Sequence, residues 1–268
     1  MRCTHMLYWV HMKTTKGVNP RIYYALLTLS IVAIFATLPF LLSLDGMASG
    51  LAVNPPFLLI GYLLGFSAIY AVIIYFGLVL AKAAGIKLPA LEGLTGDKTV
   101  AQSVGKFWVD SLILGMIFAL IVGVVELLFV NIFDLRIIQN SLDGSLAERI
   151  LAAFYGAINV EIVMRLFLMS LITFVLLKLN RDKKLGSVGM WTAILTTAVL
   201  FGLAQLPGLS SIVEITPIVV IRVLAVYLIA NGLFGYLYWK NGLVSAMMAH
   251  FAYEITLFVV LPTILMIA

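Results

Sequence analysis

The sequence predicts an all-α fold, a polytopic transmembrane helix bundle of about seven spans, and three observations carry that prediction. Of the 268 residues, 63% are hydrophobic and 11% charged, with a mean hydropathy of +1.14. A soluble domain is usually about a quarter charged, so this chain cannot build a water-facing surface. The apolar residues fall into separate runs of the ~20 residues that a bilayer core requires. Several runs contain a few ionisable side chains. Each costs about 2.5–3.5 kcal/mol at a bilayer centre on insertion scales, which makes it a functional hypothesis by default.

By run length the spans are Ile22–Leu44, Pro56–Leu80, Trp108–Val130, Ile150–Leu179, Val188–Leu206, Pro217–Trp239 and Leu243–Met266. The first hundred residues leave room for an eighth, short or re-entrant segment. Pro39 is expected to kink the first span rather than end it, because bundle neighbours can satisfy the freed carbonyl. The loop Ala81–Lys106 contains Gly, Pro and mixed charges and suits a surface-lying amphipathic stretch. The remaining loops are short, without repeats or low-complexity tracts. Residues 1–21 read as a basic cytoplasmic tail, lacking the apolar core and cleavage site of a signal peptide. Residues 22–268 form one transmembrane domain. Cys3 stands alone, which rules out an intramolecular disulfide.

Orientation follows from basic residues. With the N-terminus inside, the inner segments hold Arg2, Lys13, Lys16, Arg21, Lys82, Lys87, Lys98, Lys106, Lys178, Arg181, Lys183, Lys184 and Lys240. The outer loops hold Arg136 and Arg149, while Arg165 and Arg222 lie within spans. This asymmetry predicts a cytoplasmic N-terminus and a C-terminus outside. It also accounts for the net charge of +5 without a nucleic-acid partner; the expected partner is the lipid bilayer.

Two i,i+4 pairs stand out, each on one helix face: Glu161 with Arg165 in the fourth span, and His250 with Glu254 in the seventh. Either pair has a purely structural reading, as an ion pair or a packed histidine–carboxylate contact. Gln205 closes the fifth span, where its amide can cap backbone carbonyls. Asp110 and Glu126 sit near opposite ends of the third span, where water reaches them. Arg222, about five residues into the sixth, is expected to snorkel to the outer interface. Small residues Ser245, Ala249 and Ala252 suit close contact around the seventh span.

Some chemistries drop out. No His-Glu-x-x-His, Gly-x-Ser-x-Gly or phosphate-cradling glycine loop is present. The histidines are His5, His11 and His250, two of them in the tail, so a three-histidine metal site is not expected. No cofactor is called for.

Three stretches occur in a suggestive order: Val160-Glu161-Ile-Val-Met-Arg165, Phe201-Gly-Leu-Ala-Gln205 and His250-Phe-Ala-Tyr-Glu254. With RLFLMSLI, FGLAQLP and YWKNGLVSAMMAHF around them, residues of about 146–266 resemble the CAAX prenyl protease and bacteriocin-processing family. That family comprises intramembrane endopeptidases, the type II CAAX prenyl proteases among them. Its signature is Glu-Glu-x-x-x-Arg, then Phe-x-x-x-His, then His-x-x-x-Asn/Asp, each on its own helix. The resemblance implies metal-free activation of water by a glutamate and a histidine, an oxyanion held by the third motif, and a prenylated or membrane-associated peptide substrate. It also implies a prokaryotic cytoplasmic membrane.

The departures fall on the chemistry. The family's water-activating Glu and His correspond to Val160 and Gln205 here, and its Asn/Asp to Glu254. Glu161 and Arg165 match the positions of a structural pair. Adjacent helical residues are rotated by about 100°, so Glu161 does not point where Val160 points, and Arg165 beside it makes it a poorer base. Glutamine can position a water but cannot accept its proton. The site residues are therefore Glu161, Arg165, Gln205, His250 and Glu254. Three functions stay open: an intramembrane endopeptidase, impaired or with a shifted mechanism; a non-catalytic scaffold, regulator or immunity protein using the same cavity; and a small transporter.

Overall fold

In the computed structural model, residues 17–39, 55–93, 98–135, 145–180 and 184–263 are described. Eight helices follow in order: α1 Pro20–Ala36, α2 Pro55–Ala83, α3 Pro89–Glu92, α4 Lys98–Phe133, α5 Leu146–Leu179, α6 Ser187–Leu209, α7 Pro217–Asn241 and α8 Leu243–Thr263. Among the described residues six of them, α2 and α4 to α8, are long and apolar enough to cross a membrane, and the protein is an integral membrane protein. Helix α1, at 17 residues, falls short of that length.

Local chemistry sets the boundaries. Asn19 caps α1, its Oδ1 accepting from Arg21 N–H at 2.9 Å, with Pro20 in the first turn where no amide donor is needed. Ser145 and Glu148 form a reciprocal capping box on α5. Thr216 followed by Pro217 starts α7. The expected kink near Pro39 is an interruption at Thr37, whose N–H and hydroxyl both turn back to the Ile34 carbonyl. The rest of the first predicted span, to Leu44, lies outside the described residues, as do tail residues 1–16 and positions 264–266 of the last span. Within Ala81–Lys106 the described helix is the four-residue α3 together with the start of α4, which begins ten residues before the expected Trp108.

Hydrophobicity alone cannot drive helices together in lipid, so packing and hydrogen bonds choose neighbours. Gly115 of α4 lies so close to the Ala249 backbone of α8 that a Cβ would sit 2.9 Å from the Ala249 carbonyl carbon. Ser111 and Ser245 hydroxyls bond nearby at 2.6 Å. Ser30 of α1 donates to Asn159 of α5 at 2.5 Å, and Tyr70 of α2 meets Tyr155 of α5 at 3.1 Å. Gly242, at φ +86°, makes the tight α7–α8 turn, and a Cβ there would strike Pro89 of α3. These contacts place residues 17–20, 83–93, 98, 179–180, 184–187 and 241–243 at one end of the bundle. The opposite end carries residues 36–37, 55, 133–135, 145–146, 209–217 and 263. Helices α7 and α8 are the interior, with 56% of their apolar windows buried against 11% for α2.

Candidate active site

Helix α5 widens from α-helical to π-helical turns over Gly156–Val160 and again over Ile162–Met169. Such wide turns concentrate at functional sites, and here they flank Glu161. The loosened carbonyl of Arg165 is recovered by Ser170, whose hydroxyl donates to it at 3.2 Å. Glu161 and Arg165 are both fully buried.

Four of the five site residues form a chain of charges. Arg165 Nε donates to Glu161 Oε2 at 3.1 Å. Glu161 Oε1 lies 2.8 Å from His250 Nδ1, and His250 Nε2 lies 3.1 Å from Glu254 Oε1. Arg165 Nη2 donates to Asn231 Oδ1 of α7 at 2.5 Å, while Nη1 has no partner among the described residues. Phe234 stacks on the imidazole at 4.6 Å and 14°, and Tyr253 abuts Phe234 edge-on. Glu254 sits over Gly156, where a Cβ would come within 2.7 Å of its Oε2.

An ionised carboxylate only accepts hydrogen bonds. With both carboxylates ionised, His250 is therefore the doubly protonated imidazolium. If the proton sits instead on Glu254, the Nε2 lone pair accepts from it. In either form neither ring nitrogen has a lone pair free for a water molecule. The chain carries matched charges, as a buried ionic cluster must.

A cavity of about 490 Å³ opens beside this chain, toward the end of the bundle that holds the α6–α7 loop. Val160, Gln205, His250 and Glu254 all line it, whereas Glu161 and Arg165 lie behind the wall. Gln205 thus reaches the same space as His250, although it lies one helical turn from the end of α6. The cavity runs from Ile212 at the rim down to Asn231 and Phe234, which bridges the depth difference between these positions.

The structure corrects two expectations and adds one residue. Arg222 does not snorkel: it forms a two-pronged ion pair with Glu126 of α4, and both side chains are only 7% exposed. Glu126 is correspondingly buried rather than water-facing, and both residues line the cavity wall. Reaching the interface would have left Glu126 buried and unpaired, the worse alternative. Asn231, unremarked in the sequence, is a lone amide in the apolar run LIANGLF, the kind of intramembrane polar residue that needs a partner. Among the described residues no group of three or more His, Cys, Asp or Glu is arranged to hold a metal.

Fold and site together define an intramembrane helical bundle with a cavity lined by apolar and aromatic side chains and a few polar ones. Residues 142–256, which carry the whole charge chain, match the family described as type II CAAX prenyl endopeptidase Rce1-like. No curated protein and no solved structure matches the chain significantly.

Proposed function

We propose that this protein is a catalytically silent member of the CAAX protease family that binds a membrane-associated peptide in the cavity instead of cutting it. One observation carries the reading. The two positions at which the family activates water, Val160 and Gln205, face a cavity in which the one histidine has both nitrogens engaged by carboxylates. Neither valine nor glutamine takes a proton from water, and losing a general base removes about 10²–10⁴ in rate. Glu254 at the Asn/Asp position adds a carboxylate where an oxyanion would develop, which disfavours the transition state further.

Among the described residues, Arg21, Lys82, Lys87, Lys178, Lys184 and Lys240 lie at the bundle end opposite the cavity mouth, against Arg149 at the mouth end. We accordingly place the N-terminus in the cytoplasm and the C-terminus outside a cytoplasmic membrane.

The test compares the unmodified protein with a Val160→Glu/Gln205→His variant, incubated with a prenylated CAAX peptide and a panel of membrane peptides. Cleavage by the variant alone supports the reading. Cleavage by the unmodified chain that disappears in His250→Ala overturns it and moves the base to the His250–Glu254 pair.

A further inference from the structure

We infer that the cavity takes a lysine- or arginine-bearing peptide segment presented from the extracytoplasmic side, with Glu254 as the residue that recognises its cation. This inference rests on the peptide-binding reading and orientation above and names the ligand class.

The accessible charge in the cavity is negative. The cations of the lining, and Arg165 behind it, are covered: Arg165 is fully buried on Glu161, Arg222 is 7% exposed on Glu126, and the His250 side chain is 8% exposed between two carboxylates. Glu254, whose side chain is 22% exposed, is more accessible than Glu126, Arg222 or His250 of the same lining. Its Oε1 faces His250, and Gly156 leaves room for its Oε2. The remaining wall is largely apolar and aromatic, including Tyr155, Phe201, Tyr227, Leu257 and Phe258. A peptide with one cationic side chain among apolar neighbours complements both parts, and charge complementarity of this kind sets specificity.

The direction of approach follows from topology. Tyr155, Gln205, Ile212, Arg222 and Phe258 all belong to helix ends or loops on the side away from Lys82, Lys87, Lys178, Lys184 and Lys240. Among the described residues that end of the bundle carries Asp134, Glu148 and Glu214 against Arg149. Its net negative field attracts cationic rather than acidic segments. A cytosolic prenylated C-terminus would meet the lysine-bearing end, away from the cavity mouth.

Two measurements test this. First, the full chain in nanodiscs is titrated with a fluorescent apolar hexapeptide bearing a central Lys, and with its Gln and Glu counterparts. Mass spectrometry on the same samples reports any cleavage. The Lys peptide should bind about tenfold or more tighter than the Gln peptide. Glu254→Gln should erase that preference, with thermal melting and monodisperse elution of the variant as the check on folding. Equal affinities, no binding of the Lys peptide, or a preference that survives Glu254→Gln overturn the inference. Cleavage with the preference intact would overturn only the silent reading.

Second, in a Cys3→Ser background, Ile212→Cys at the cavity rim should react with a membrane-impermeant maleimide on intact cells. Lys184→Cys should react only in inverted vesicles. The reverse pattern overturns the extracytoplasmic approach.

Discussion

His250 Nδ1 lies 2.8 Å from Glu161 Oε1, a contact between helices α5 and α8 that joins two ion pairs, each local to its own helix, into one network. Through it the cavity-facing Glu254 is connected to the fully buried Arg165. Residues 89 positions apart in sequence thereby share one charge balance.

The network makes the cost of deletions order-dependent. Arg165→Leu leaves Glu161 buried with His250 as its remaining charged partner and should cost about 3–5 kcal/mol. Glu161→Gln/Arg165→Leu removes both charges and should be milder. Thermal melting and monodisperse yield in detergent measure the difference; equal loss in the two variants would count against a mutually neutralising pair.

Arg222 and Glu126 permit a symmetric test. Arg222→Leu should destabilise by about 3–5 kcal/mol, because it strands a buried carboxylate. The charge-reversed double variant Glu126→Arg/Arg222→Glu should recover more than half of that loss. A double variant no more stable than the single one would show that the partners do not act as a pair.

Close packing of α4 on α8 predicts a contrast between two glycines. Gly115→Ala drives a methyl into the Ala249 backbone, which has no rotamer to yield. Its cost should exceed the ~1–3 kcal/mol of ordinary overpacking. Gly123→Ala meets the end of the Leu261 side chain at 3.3 Å and should be tolerated within about 1 kcal/mol. Comparable melting temperatures for the two variants would argue against the α4–α8 contact.

Gly156→Ala probes the cavity without touching an ionisable group. The added methyl meets the Glu254 carboxylate, the far end of a flexible side chain that can shift on its one contact to His250. Melting should shift by no more than about 1 kcal/mol, while affinity for the Lys-bearing peptide falls. Unchanged affinity would mean that Glu254 recognises nothing where it stands.

Much of this molecule is legible in one dimension. Runs of about 20 apolar residues specify helices because lipid offers the backbone no other hydrogen-bond partner. Glu161 with Arg165 and His250 with Glu254 pair by helical repeat alone, and the three motif stretches fall within the segment, residues 142–256, that matches the family. Partner choice between helices was not legible. Apolar side chains are equally content against lipid or another helix, so hydropathy does not encode which helices touch. That Glu126 captures Arg222, that Asn231 completes Arg165, and that Val160 rather than Glu161 faces the cavity depend on helix rotation and on small-residue contacts such as Gly115 on Ala249. Those are properties of the packed bundle, where a few buried polar groups must find one another because the membrane offers them nothing else.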